Sequence, residues 1–380
     1  GDFLDSLHHR LNASGSQAVV GNLDLSLGLG NVVHDNRSTG IEVTTDVLVA
    51  GNTVFGQSGS NDWGIRLTSL GSEARRNIVH SNDGGIYSIG GGSVVAENRV
   101  YNHTGTGIEA RTSTDVLRNV IYTNDLGLLA TNNTAPFTGT VQNNIVYDNA
   151  SGAILADSAG SSGNGADFFN NTVFQETGDA IRIEGHSENV DVRSNILWVD
   201  SGFAISVADD SQIDFTSDFN LLHTTGTGQT AYWQGLARPD LVAWQNTVFT
   251  DGLSSSQNPL FVDVVPGATL GYISPADDGR NDDFHVQSDN GSFHGGSLAP
   301  VLDSGSGLPV FQVATLTSDA ARSPAIDRGD DSFPFAAEPV ENGGFINVGA
   351  YGNTDQASKS PAEFVLVLIP DGGETWVAGQ

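Results

Sequence analysis

Tyr87, Arg66, Arg111 and Glu109 are residues of this chain whose types could together do acid-base chemistry beside a negative charge. Elimination beside a uronate carboxylate needs a cation to neutralise that carboxylate and a base of matched pKa to take the neighbouring proton; arginine with tyrosine supplies both. Hydrolysis of a glycosidic bond instead needs two carboxyls at a separation set by the stereochemical course. Asp157 with Glu184, or with Glu109, are the nearest such pairs. Arg182, Glu184, His186 and Asp157 form a second group, suited to holding a substrate. Neither set has a diagnostic spacing, and both are compatible with ordinary cross-strand charge pairing, Arg66 beside Glu109 for example.

What must position these side chains is a repeat. A small residue or Asn is followed by Asn, two apolar residues, a polar turn, and then Gly-Ile or Ala-Ile opening an alternating stretch. Examples are Asn52-Thr53-Val54 with Gly64-Ile65-Arg66-Leu67, and Asn77-Ile78-Val79 with Gly85-Ile86-Tyr87. The asparagine falls at 31, 52, 77, 98, 119, 144, 171, 195 and 220, at intervals of 21 to 27 residues. That irregularity suits coils with variable loops better than helical hairpins. Two stretches per coil alternate apolar and polar with period two, which favours strands. Each coil returns to the same phase, so successive strands run parallel about 4.8 Å apart, and nine coils would make a rod of roughly 40 Å. One coil cannot bury its apolar face alone and needs neighbours on both sides.

The asparagine has a physical use at an inward turn: its amide bonds backbone groups and the amide of the next coil, building a ladder. Asparagine is common in turns of any fold, but nine occurrences in phase with the apolar pattern point to the ladder. On the strand after Gly-Ile, the outward column reads Glu42, Arg66, Tyr87, Glu109, Leu129, Leu155, Arg182 and Ser206. Two residues on, a second column reads Thr44, Thr68, Ile89, Arg111, Thr131, Asp157, Glu184 and Ala208. Arg66, Tyr87, Glu109 and Arg111 thus fall on three consecutive coils, within about 5 to 10 Å of one another.

Composition narrows the partners. Fifteen cations, of which only Lys359 is lysine, stand against 45 acidic residues, a formal net charge of -30. Such a chain repels phosphate backbones and anionic membrane surfaces, so nucleic acid is a poor partner. There is no cysteine, which excludes disulfides, thiolate metal sites and a cysteine nucleophile. The longest strongly apolar run, Phe364 to Ile369, is far short of the roughly 20 residues of a membrane span. No methionine is present and Gly1 to Arg10 do not read as a signal peptide, so the chain is expected to be a soluble piece of a longer protein.

The pattern resembles the pectate-lyase-like right-handed β-helix superfamily, in particular secreted bacterial parallel β-helix repeat proteins. The resemblance implies an all-β, right-handed parallel β-helix over residues 17–355, after an N-terminal segment 1–16, with irregular C-terminal coils. It rests also on Asn258-Pro259-Leu260-Phe261, Asp283-Phe284-His285-Val286, Ser323-Pro324-Ala325-Ile326-Asp327 and Asn347-Val348-Gly349-Ala350-Tyr351, phrases that in the family close the C-terminal end of the helix. Residues 356–380 are expected to be a linker and, at Leu368 to Trp376, the opening strand of a truncated immunoglobulin-like module. In the superfamily the sheet after Gly-Ile, with its flanking loops, forms a polysaccharide groove. Against catalysis stand the absence of lysine from the helix and of an Asp-Pro-His-Asp-like motif that would mark an alginate epimerase.

Calcium is the ion the acidic loops suit, because hard oxygens crowd them. Asp277, Asp278, Asn281, Asp282 and Asp283 form the best cluster and Asp327, Asp330 and Asp331 a second, neither matching an EF-hand loop and both readable as ordinary acidic loops. His34, His80 and His103 are expected to form a stacked structural column three residues after the ladder asparagine, and His186 to follow Arg182 and Glu184 on an outward strand. Tyr232, Trp233 and Trp244 would stack sugars or, the favoured reading, seal the last coils. Three functions follow: an extracellular or cell-surface carbohydrate-recognising module, a polysaccharide lyase or hydrolase acting on an acidic polysaccharide, or an architectural stalk, adhesin or fibre segment. The last would pair end to end, because an open parallel edge invites a neighbour.

Overall fold

The computed structural model describes residues 11–15, 17–59, 62–264, 269–275 and 277–361. Each coil carries three strands, one in each of three sheets wound around a common core. The first sheet runs from Leu11–Ala13 through Ile41–Val43, Trp63–Leu67, Gly84–Ser88 and Thr106–Arg111 to Gln229–Trp233. The second runs from Ala18–Gly21 to Thr216–Asp218 and the third from Val32–His34 to Leu221–Thr224. Successive strands pair in parallel until Leu236–Arg238 turns back antiparallel at the C-terminal end. Leu11–Ala13 already pairs with Ile41–Val43, so the solenoid extends upstream of residue 17.

Three stacked apolar columns fill the interior. The first sheet contributes Ile41, Ile65, Ile86, Ile108 and Leu128, the second Val95, Val116, Val141 and Phe168, and the third Val79, Val100, Ile121 and Val146. All are fully buried. Burial of each such side chain contributes about 1.5 to 3 kcal/mol, and only a neighbouring coil provides it. The sequence pattern showed two strands per coil where there are three. The second-sheet strands Glu73–Arg75, Val94–Ala96 and Asp115–Leu117 are three residues long and each points one apolar side chain inward, which leaves no alternation to detect.

The ladder stands at the turn from the second sheet to the third. Asn98 Nδ2 donates to Asn119 Oδ1 at 3.0 Å and to Ala74 O at 2.8 Å, and the Asn98 amide donates to the same Asn119 oxygen. The pattern holds from Asn31 to Asn220, where Ser254 Oγ and Asp251 end it. A residue in the left-handed region precedes most rungs, such as Glu97, Arg118 and Ser194, and turns the amide inward. That conformation costs roughly 1 kcal/mol or more for a non-glycine residue, which the buried amide bonds offset.

A second ladder, not foreseen from the sequence, lines the turn from the third sheet to the first. Backbone amides donate in series along Asn36, Gln57, Asn82, His103, Asn124, Asn149 and Gln175, each to the side chain of the next. His103 therefore does not share a column with His34 and His80. It lies five residues after its ladder asparagine, not three. His34 and His80 belong instead to a ring stack on the outer face of the third sheet with Phe55, Tyr101, Tyr122 and Tyr147, centroids 4.8–5.1 Å apart.

That aromatic face is covered by the C-terminal segment, which runs back along the flank of the rod. Phe284 meets Tyr147 at 4.7 Å, Tyr272 meets Tyr101 at 5.4 Å, and near the other end Thr53 Oγ1 donates to Gly307 O at 2.8 Å. The phrases expected to close the end of the helix thus cover its side. The end itself is sealed by the helix Leu241–Val248, whose fully buried Trp244 packs on Trp233 and Phe215. The immunoglobulin-like strand expected at 368–376 lies outside the described residues. Among the described residues no helix is long and apolar enough to cross a membrane.

Candidate functional site

With the third sheet covered by the C-terminal segment, the outer face of the first sheet presents a column of charged and aromatic side chains, half-buried at Arg66, Tyr87 and Arg111 and buried at Glu109. Its register follows the alternation of the sequence: Glu42 pairs with Arg66, Arg66 with Tyr87, Tyr87 with Glu109 and Glu109 with Leu129. Leu129 pairs with Leu155, Leu155 with Arg182 and Arg182 with Ser206. In the second column Arg111 pairs with Thr131, Thr131 with Asp157 and Asp157 with Glu184.

Tyr87 lies between two guanidiniums. The Arg66 carbon is 5.2 Å and the Arg111 carbon 5.5 Å from its ring centroid, while Trp63 approaches at 5.1 Å with its plane tilted by 44°. Trp63, from the start of the same strand as Arg66, completes the cluster; only its position over Gly84 of the next coil reveals this, and sequence spacing does not.

Every arginine here already meets a carboxylate. Arg111 Nε donates to Glu109 Oε1 at 2.6 Å and its Nη1 to Asn132 O at 2.9 Å. Arg66 lies 3.8 Å from Glu42, and Arg182 3.3 Å from Glu184. Arg66 therefore pairs with Glu42, on the other side from Glu109. Asp157 accepts from Thr131 Oγ1 at 3.4 Å. His186 is two residues beyond the strand Ile181–Glu184, in a left-handed turn, with its exposed ring 3.2 Å from Asp210.

The acidic loop residues are dispersed among protein partners. Asp278 holds Arg280 at 2.6 and 2.7 Å, Asp282 accepts from the Gly271 amide at 2.8 Å, and Asp283 takes His285 Nδ1 at 2.6 Å and the Gly295 amide at 2.7 Å. Asp277 lies in a short antiparallel pairing with Ser274, one residue before Asp278, and Asn281 lies between Arg280 and Asp282. Asp330 is bound to Arg193 at 2.8 Å and Asp327 accepts from the Gly343 amide at 3.1 Å. Among the described residues no three acidic or imidazole side chains converge as metal ligands.

A separate cleft at the turn from the third sheet to the first is lined by Thr123, Asn124, Asp148, Asn149 and Glu176. Burial, with Glu176 adding its charge, pushes the Asp148 carboxyl up to about 6. Burial also raises nearby Asp282 to about 6.

A family model described as a right-handed β-helix region matches residues 26–167. Among solved structures, that of pectate lyase Pel9A aligns over 89% of this chain and 87% of its own, at 10% identity and a TM-score of 0.44. No curated protein matches the chain. The family match and the coil architecture together make the fold a right-handed parallel β-helix.

Proposed function

We propose that this chain is an extracellular carbohydrate-recognising module that binds a glycan along the outer face of its first sheet. The observation that carries the reading is Tyr87 held between Arg66 and Arg111, in a face that the C-terminal segment leaves open by packing on the third sheet. The ion pairs preorganise planar donors and carboxylate acceptors on rigid strands, which lowers the ordering cost of binding. Leu129 and Leu155, the next two rungs of the column, offer an apolar floor for the C–H face of a sugar.

Binding without turnover is favoured over a lyase. Elimination at a uronate needs a guanidinium free to neutralise the substrate; Arg111 is held by Glu109 and Asn132, and Arg66 lies within ion-pair distance of Glu42. A second reading, glycoside hydrolysis, draws on the cleft, where a carboxyl with its proton retained to about 6 suits a general acid. It predicts sugar-reducing ends released by the native protein and not by Asp148→Asn.

The test is a glycan microarray, with and without calcium, on the native protein and on Tyr87→Ala and Arg66→Ala, with Val242→Ser on the capping helix as control. The reading expects retained glycans whose signal both face variants lose and the control keeps. Equal retention by all four proteins would move the site off this face. No retention, with a mass that rises with concentration, would favour the end-to-end architectural reading.

A further inference from the structure

The charge balance of this face bears on what it can hold. Its two outward columns carry three guanidiniums, Arg66, Arg111 and Arg182, against four carboxylates, Glu42, Glu109, Asp157 and Glu184. Each guanidinium is within 4 Å of a carboxylate of the same face. An opposite charge at that distance is worth about 1 kcal/mol in water and about 4 at an effective dielectric constant of 20. An anionic sugar must displace these carboxylates or stand beside them, in a protein whose formal charge is -30. Both terms oppose binding.

Paired ions on one face do suit a different ligand. A carboxylate accepts hydrogen bonds and its guanidinium partner donates them, so a pair matches two vicinal hydroxyls, each of which donates and accepts. Glu109 with Arg111 and Glu184 with Arg182 are two such pairs, on either side of Leu129 and Leu155. The rise of one coil, about 4.8 Å, is close to the length of one pyranose unit, so successive units can meet successive rungs.

We infer that the glycan bound by the first sheet is neutral, lacking carboxylate and sulfate groups, and is recognised through its vicinal hydroxyls by the Glu109–Arg111 and Arg182–Glu184 pairs. This rests on the reading of that sheet as a glycan-binding face.

Calorimetric titration separates the two. The probes are oligosaccharides of xylan, mixed-linkage β-glucan and galactomannan on one side, and of polygalacturonate and alginate on the other, at about 20 and about 300 mM salt. The inference expects affinity for a neutral probe that changes less than about twofold with salt, as befits an uncharged ligand. It expects Glu109→Gln to weaken that affinity roughly tenfold without creating affinity for uronates. Binding confined to the anionic probes, weakened by salt and tightened in Glu109→Gln, overturns the neutral ligand and leaves the glycan-binding face standing. Binding of no probe in either class counts against the face itself.

Discussion

The backbone amide of Asn82 donates to Nδ1 of His103 at 3.1 Å, so an imidazole fills a rung that amide side chains fill above and below it. This fixes the tautomer: Nδ1 accepts, and Nε2 carries the proton toward Val79 O at 3.2 Å. A second proton would set two N–H groups against each other inside the core.

Acid should therefore undo this rung. Burial pushes His103 down to about 3 from its ordinary 6.5, and His80 to about 4. The unfolded chain takes up these protons first, so the stability that neutral imidazoles provide is present above pH 6.5 and is lost as pH falls toward 3, by up to about 1.4 kcal/mol per pH unit per histidine. His103→Asn keeps both the acceptor and a donor. Urea denaturation should show it within about 1 kcal/mol of the native protein at pH 7 and less sensitive to acid below 6. An unchanged acid slope would contradict this.

The first ladder makes a sharper demand. Asn119 Oδ1 accepts from both nitrogens of Asn98, and its Nδ2 donates to Val95 O and Asn144 Oδ1. Asn119→Ala removes four buried hydrogen bonds and leaves the Asn98 amide without its acceptor, and should cost about 3 to 5 kcal/mol, with Asn119→Asp at least as costly because it loses the donor and buries a charge. A loss near 1 kcal/mol would mean that water replaces the amide.

Glu338 works in the opposite pH direction. Its Oε1 accepts from the amides of Asn347 and Asn353, Oε2 is buried with no hydrogen-bond partner among the described residues, and burial raises its carboxyl from 4.5 to about 7. The folded state keeps a proton that the unfolded chain releases first, so stability falls as pH rises from about 4.5 to 7. Glu338→Gln retains the acceptor and should be more stable than the native protein at pH 8 by about 1 to 3 kcal/mol, with a flatter profile. Lower stability at pH 8 would refute the buried charge.

Gly349 tests how the C-terminal segment sits. Its φ is +94°, and a Cβ there would fall 2.6 Å from Ile196 Cδ1 and 2.7 Å from Thr172 Oγ1, both on the third sheet. Gly349→Val should loosen the segment from the rod, and limited proteolysis should cut within residues 261–361 while the coils stay intact. Resistance equal to the native protein would count against this packing.

The parts legible in the sequence were those that one coil repeats at a fixed offset. The nine asparagines and the outward columns share a phase, so alternation was enough to align Glu42 with Arg66 and Tyr87 with Glu109. What the offset hid was missed. His103 differs from His80 in its distance from the ladder, and that difference puts one imidazole inside a turn and the other in a ring stack. The short second-sheet strands Glu73–Arg75, Val94–Ala96 and Asp115–Leu117 point one side chain each inward, too few to show a period. The acidic loops illustrate a further limit: spacing shows Asp278, Asp282 and Asp283 close together, but not that each finds its own partner in Arg280, Gly271 and His285. Nor does spacing show that guanidiniums on neighbouring coils occupy both sides of Tyr87.

The central claim, that the outer face of the first sheet is the binding surface, is tested most directly by hydrogen-exchange mass spectrometry with a retained glycan. Protection should fall on peptides spanning 63–67, 84–88, 106–111, 126–131 and 152–157, whose strands carry the cluster and its apolar floor. Protection confined to 229–253 at the capped end, or to the C-terminal segment over the third sheet, would contradict it.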